Sequence, residues 1–169
     1  MVNYSDIHLS DLKNLSLKSF TEVLINDFYP FLFSELNNAE KSTSYLKLEF
    51  DIGIIESINQ KIYNDFDEMF RKEKLVLFPF ILKLESENKK SETCSPFKNT
   101  KAHFTSIIKN IEDALKLCNE IKKRENKAIA IFALLETYEH FKGTMIELQN
   151  IKDRNFYLQF KSCSGCQKI

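Results

Sequence analysis

The sequence predicts an all-α protein, and more specifically an up-and-down four-helix bundle. Only three glycines and three prolines occur among its 169 residues, whereas an all-β protein needs many turns built from such residues. Four long segments repeat apolar residues at helical spacing, and short polar stretches join them. Amphipathic helices joined by short connections are typical of an up-and-down bundle.

Composition and charge narrow the class of protein further. Hydrophobic residues make up 43% of the chain and charged residues 28%, a balance typical of a globular protein, and the length suits one domain. We assign residues 1–160 to the bundle and 161–169 to a flexible C-terminal tail. Twenty-four basic and twenty-four acidic residues cancel, so no overall field favours nucleic acid, and we expect no nucleic-acid partner.

The N-terminal residues carry neither a basic segment nor an apolar one, so we expect no signal peptide. No apolar run approaches the roughly 20 residues that a membrane-spanning helix needs. The sequence therefore predicts a cytoplasmic protein without a membrane partner, whose four cysteines are mainly reduced.

The first helix follows a polar lead-in over residues 1–15. It begins near Ser16 or Ser19, either of which can cap it. Pro30 should kink this helix, because proline lacks a backbone donor and crowds the preceding turn. Residues 37–44, which read NNAEKSTS, are predicted to form a loop because all but one of them are polar.

The second helix is predicted from Tyr45 or Asp51 to Glu87, with Gly53 marking a break near its start. The third should span Pro96–Lys123, because Ser95 can cap it and proline is favoured in the first turn.

The fourth helix is predicted from Lys127 to Phe160, with Gly143 as a weak point inside it. Fifteen phenylalanines and no tryptophan predict an aromatic, helical core.

One carboxylate conflicts with the apolar pattern of the second helix. Glu73 falls on the stripe that also carries Phe66 and Met69. A buried carboxylate must be paired, protonated or bound to a metal, since isolating its charge is too costly. A neighbouring lysine (Lys72 or Lys74) or a lysine across the bundle could pair with it.

Two other helices also place polar groups on their apolar stripes. The third offers His103, and the fourth offers Gln149 and Asp153 at i, i+4 spacing. Inward-facing His and carboxylate side chains are the groups that hold metals in bundle cores. Each residue alone has an ordinary structural explanation, such as a partly exposed histidine or an Asp153 paired with a neighbouring base.

The segment RKEKLVLFPFI (71–81) resembles the signature of the hemerythrin-like di-iron proteins of the repair-of-iron-centres type, H-M-x-K-E-E-x-x-L-F-P. Met69 stands at the histidine position, and Glu73 at that of the ligand glutamate. The resemblance extends to Ala102–His103, where the family has E-H, and to QNIKDRNFYL (149–158), where it has H-x-x-x-E-N-N.

This resemblance implies a hemerythrin-like bundle in a degenerate form. Glu73 and His103 survive as ligands, Asp153 stands in for a glutamate, and four positions have lost their histidines: Phe28 or Tyr29, Tyr45, Met69 and Gln149. Iron in such sites needs several imidazoles, which aromatic or thioether side chains do not replace. We therefore expect no cofactor, with a di-iron centre as the alternative.

The leading hypothesis is a non-enzymatic binding or regulatory protein with an unknown protein partner or small ligand. The first alternative is an iron-binding hemerythrin-like protein in iron–sulfur cluster repair or in the response to nitric-oxide or oxidative stress. It would use Glu73, His103 and Asp153. The second alternative is a thiol redox module, because Cys163 and Cys166 form a C-x-x-C pair.

Overall fold

The computed structural model describes residues 11–46, 53–89, 95–124 and 129–157, and these ranges are almost entirely helical. The prediction of an all-α protein is confirmed. After a short 3₁₀ turn, the helices and the π-helical segments between or after them run in this order: α1 Leu17–Val23, π Leu24–Phe28, α2 Tyr29–Leu46, α3 Gly53–Lys72, π Glu73–Leu77, α4 Phe78–Ser86, α5 Ser95–Arg124, α6 Ile129–Lys152 and π Asp153–Tyr157.

These elements form four long helices, because each internal π segment joins two α-helices into one rod. The rods pack in a ring: α2 on α3, α3 on α5, α5 on α6, and α6 on α2. Neighbouring rods are antiparallel. Lys72 of α3 meets His103 of α5, whereas Asp65, earlier in α3, meets Asn110, later in α5. The described residues therefore form an up-and-down bundle.

The predicted loop over residues 37–44 is wrong, because α2 continues through it to Leu46. This part of α2 has a buried stripe that starts at Leu36 and continues through Ala39, Thr43 and Leu46. The Thr43 hydroxyl donates to the Ala39 carbonyl one turn back, at 2.8 Å, so this side chain is satisfied inside the helix. The helix therefore continues on the buried side chains of Ala39 and Leu46 and on Thr43, whose hydroxyl bonds within the helix.

The other predicted helix boundaries that fall within the described residues agree with the structure to within a few residues. Lys127 and Phe160, the predicted ends of the fourth helix, lie outside the described residues. Ser16 caps α1, since its side chain accepts a hydrogen bond from the Ser19 amide at 3.2 Å. Gly53 begins α3, and α5 spans Ser95–Arg124. The lead-in before residue 11 and the tail over 161–169 lie outside the described residues.

Two of the π segments precede a proline at the same spacing. Leu24–Phe28 is followed by Pro30, and Glu73–Leu77 by Pro79. In an α-helix, the proline ring would clash with the carbonyl four residues earlier. A π turn bonds each amide to the carbonyl five residues back, as the Tyr29 and Phe78 amides do here. The wider turn accommodates each proline. At Pro30, where a kink was predicted, the structure has this π turn.

The core is aromatic, as predicted. Phe66 is fully buried and its ring centroid lies 4.8 Å from Phe33, 5.6 Å from Phe141 and 5.8 Å from Tyr29. A second group of rings surrounds Phe156. Its ring centroid lies 5.3 Å from that of Phe20 and 5.7 Å from that of Phe78. Aromatic pairs at these distances and tilted orientations stabilise a core beyond the area they bury.

Replacing Gly143 with alanine should raise the free energy of unfolding by about 0.5–1 kcal/mol, because glycine inside a helix costs backbone entropy. Gly143 lies in the continuous helix α6, and a Cβ added there would meet no atom within 4 Å. Urea unfolding followed by circular dichroism measures the change. A decrease in stability would show that this glycine has a packing role that its open surroundings do not indicate.

None of the helices in the described part of the chain is both long and apolar enough to cross a membrane.

Candidate functional site

Three polar side chains from three different rods meet inside the core of the bundle. Lys152 donates to Glu73 Oε1 at 2.7 Å, and its Nζ lies 3.4 Å from the Tyr29 hydroxyl. That hydroxyl donates to the other carboxylate oxygen, Glu73 Oε2. The exposed fractions are 0% for Tyr29, 1% for Glu73 and 2% for Lys152. We call these three residues the buried triad.

Each member of the buried triad borders or begins a π-helical segment. Tyr29 directly follows the first, Glu73 begins the second, and Lys152 directly precedes the third. A π segment changes the direction in which side chains leave a helix, and such segments occur often at functional sites. Three of them at one level of a bundle indicate that the local backbone is adapted to the polar cluster.

The charges within the buried triad balance. Glu73 and Lys152 form an ion pair, and the Tyr29 hydroxyl satisfies the carboxylate oxygen that the lysine does not reach. Burying either charge alone would cost several kcal/mol, on the order of the whole stability of many domains. Removing Glu73 or Lys152 would therefore leave the other charge buried alone, whereas removing the Tyr29 hydroxyl would leave Glu73 Oε2 without its donor. Of the pairing options for Glu73, a lysine across the bundle is the one observed.

His103 does not reach Glu73. Its Nε2 lies 2.7 Å from Lys72 Nζ and 3.7 Å from Glu68 Oε1, and Lys72 also pairs with Glu68 at 2.7 Å. Lysine can only donate, so the Nε2 of His103 accepts, and the ring is held between α5 and α3. The side chain is 17% exposed. The pKa of Glu68 is lowered, chiefly by its hydrogen bond to Lys72.

Of the remaining residues from the resemblance, Met69 and Gln149 are buried, Asp153 is half-buried and Tyr45 is exposed. Asp153 accepts a hydrogen bond from Gln149 at 2.8 Å, within one turn of the same rod. Met69 is fully buried and Gln149 nearly so. Tyr45 is 68% exposed near the end of α2.

Asn155, in the third π segment, has a buried Nδ2 that finds no hydrogen-bond partner among the described residues.

Lys152 is the site residue that the local sequence pattern did not indicate, because a base next to Asp153 is already explained by pairing with that carboxylate. Its spacing does predict a core position: Tyr138, Met145, Leu148 and Lys152 fall on one face of α6, and all four are buried. A lysine on that face, in a chain with an unexplained carboxylate on another helix, would have indicated the ion pair.

The donor set at Glu73 does not fit a di-iron centre. The group at hydrogen-bond distance from Glu73 Oε1 is the ammonium of Lys152, which has no lone pair to offer a metal. Met69 and Gln149, which stand at two of the positions the resemblance assigns to histidines, carry no imidazole. Within ranges 11–46, 53–89, 95–124 and 129–157, no three His, Cys, Asp or Glu side chains are grouped to hold a metal ion.

The thiol pair Cys163 and Cys166 lies outside the described residues, as does Cys94. Cys118 is fully buried in α5, and burial raises the pKa of its thiol from 9.0 to about 12. Burial also raises the pKa of Tyr138, and the nearby Cys118 adds to that increase. A buried, protonated thiol is a poor nucleophile, so Cys118 is a core residue.

The raised pKa of Cys118 predicts a loss of stability at alkaline pH. The unfolded thiol ionises above pH 9 while the folded thiol keeps its proton to about pH 12, so the stability that the thiol contributes is complete below pH 9 and falls above it. Relative to Cys118→Ala, the wild-type protein should lose about 1.4 kcal/mol between pH 8 and pH 10. Denaturant titrations of both proteins measure this difference, and parallel pH profiles would contradict it.

Comparison with protein-family models, with characterised proteins and with solved structures finds no match to this chain.

Proposed function

We propose that this chain is a degenerate hemerythrin-like bundle that has lost most of its di-iron ligands and acts as a non-enzymatic binding or regulatory protein. One observation carries the proposal: the ammonium of Lys152 lies 2.7 Å from Glu73 Oε1, in direct contact with the carboxylate that the resemblance makes a metal ligand. A buried carboxylate needs one positive partner, and lysine supplies it without coordination chemistry.

Both oxygens of Glu73 are already used, by Lys152 and by the Tyr29 hydroxyl. For a metal to bind, Lys152 would have to leave the core or lose its proton. A di-iron centre would also bring several positive charges next to that ammonium. These costs oppose metal binding at this position, and they support a scaffold in which an internal salt bridge replaces the metal centre.

Iron analysis tests the proposal directly. Protein purified from iron-supplemented cells should contain only trace iron, and the amount should not change when Glu73 and His103 are both replaced with alanine. The double variant controls for iron held elsewhere on the surface. Its folding is checked by circular dichroism, and Glu73→Gln serves as the milder variant if it does not fold.

Two irons per chain with the optical spectrum of an oxo-bridged centre, lost in the Glu73 variant, would overturn the proposal. That outcome would support the alternative, an iron protein of cluster repair or stress response.

A further inference from the structure

The buried triad is a cation site whose cation belongs to the chain itself. Lys152 Nζ lies 2.7 Å from Glu73 Oε1 and 3.4 Å from the Tyr29 hydroxyl oxygen, so the ammonium faces one oxygen from each of two other rods. All three side chains are at most 2% exposed. Solvent does not screen the charge of Glu73 there, and a positive partner has to lie at this position.

Tyr29 fixes the orientation of the Glu73 carboxylate. Its hydroxyl donates to Glu73 Oε2, which leaves Oε1 for the cation. The ring of Tyr29 is held in turn by Phe66 and Phe70, with centroids 5.8 and 4.9 Å away. A buried hydrogen-bond donor behind a carboxylate is the arrangement by which metal sites orient their ligands. The oxygen side of the buried triad is therefore preorganised for a cation.

Lys152 supplies the charge of a cation but blocks coordination. An ammonium group has no lone pair, so it cannot become a metal ligand. A glutamate at this position could, because a metal bound to its carboxylate is the same number of bonds from Cα as the Nζ of lysine is. Two carboxylates would then carry two negative charges, which one divalent metal balances, just as the ammonium balances Glu73 alone.

We propose that Lys152 is the residue that determines the occupant of this position. Its ammonium excludes metal ions, while Glu73 and Tyr29 keep an arrangement that accepts a divalent metal as soon as position 152 offers an oxygen donor. The inference rests on the proposed function, and it goes beyond that function by assigning the exclusion of metal to a single residue.

The variant Lys152→Glu tests the proposal. Without metal it places two carboxylates together in the core, which should destabilise the fold strongly. Mn²⁺ binds only the folded site, so it should raise the urea midpoint of the variant, and EDTA should reverse the gain. Mn²⁺ is the probe because oxygen ligands suit it, whereas the thiols of the four cysteines prefer softer metals. The wild-type protein should not respond.

Circular dichroism makes the test independent of how stable the variant is. If Lys152→Glu is unfolded without metal, addition of Mn²⁺ should restore the helical signal, because a metal that binds only the folded state drives folding.

An exposed pair at the same distance provides the matched control. Lys142 Nζ lies 2.7 Å from Glu112 Oε1, with the side chains 27% and 49% exposed. Lys142→Glu also brings two carboxylates together, but it should bind Mn²⁺ more weakly by a factor of about ten or more, the effect that an orienting partner has at a metal site. Adding Tyr29→Phe to Lys152→Glu should weaken binding by about 10–100-fold for the same reason.

Three outcomes would overturn the proposal. They are a Lys152→Glu protein that gains neither stability nor structure from millimolar Mn²⁺, equal Mn²⁺ binding by Lys142→Glu, and equal Mn²⁺ binding by the wild-type protein. The iron analysis of the wild-type protein is a separate measurement. If the wild-type protein lacks iron and Lys152→Glu ignores Mn²⁺, the role assigned to Lys152 is removed but the proposed loss of the metal centre is not.

Discussion

Replacing Lys152 with methionine should lower the free energy of unfolding by about 3–5 kcal/mol, because it leaves the carboxylate of Glu73 buried without its counter-charge. Methionine matches the length of the lysine stem, so lost packing contributes little. Lys152 is 2% exposed and lies 2.7 Å from Glu73 Oε1. Guanidinium unfolding measures the change as a shift in midpoint at an unchanged slope.

An exposed pair at the same distance provides the control. Lys142 Nζ lies 2.7 Å from Glu112 Oε1, but the two side chains are 27% and 49% exposed. Lys142→Met should therefore cost only about 0–1 kcal/mol. If the two lysine variants lose the same stability, the strength of the buried triad does not come from its burial.

The double variant Lys152→Met, Glu73→Met should recover much of the loss. Replacing both members of a buried ion pair with apolar residues of similar volume is often neutral or stabilising. Tyr29 would then keep a buried hydroxyl without its carboxylate partner, so recovery should be incomplete until Tyr29→Phe is added. A double-mutant cycle gives the coupling energy between the two charges.

Replacing Phe66 with alanine should also cost about 3–5 kcal/mol, since a buried ring leaves a cavity that the surrounding helices fill only in part. Phe66 is fully buried against three other aromatic rings, one of which belongs to Tyr29. Thermal and denaturant unfolding both measure this loss.

Phe132→Ala is the matched control for the Phe66 variant. Phe132 is 44% exposed and its ring contacts the Lys122 ammonium, 4.3 Å from the centroid. Losing an exposed cation–π contact should cost only about 0.5–1 kcal/mol. A large loss at Phe132 together with a small one at Phe66 would contradict the position of the core described above.

The bundle itself could be predicted from the sequence, because helical periodicity reports directly which residues face a core. Residues 37–44 are helical although seven of the eight are polar, so polar composition alone does not indicate a loop. There the decisive feature was the spacing of Ala39, Thr43 and Leu46, three buried positions among exposed ones. Composition averages over all faces of a helix, whereas packing depends on one face only.

The carboxylate of the candidate site could be predicted from the sequence, whereas its partner required the fold. Glu73 was recognisable as a carboxylate on an apolar stripe, but the identity of its partner depends on which helices are neighbours and at what level. Glu73 and Lys152 are separated by 79 residues. No local pattern connects them, so the sequence left a neighbouring lysine, a lysine across the bundle and a metal as open choices.

The three π segments have a consequence for how this chain tolerates changes in length. Each corresponds to one residue more than an α-helical turn would use. In the first and second rods, where a helix follows the segment, this residue rotates the later side chains by roughly 100° about the axis. Deleting one residue within a segment, such as the exposed Val76, would restore a regular helix but turn the following apolar positions away from the core. The extra residues therefore correct the helical phase. In the first and second rods, the helices on the two sides of the π segment both face the core only while the extra residue is kept.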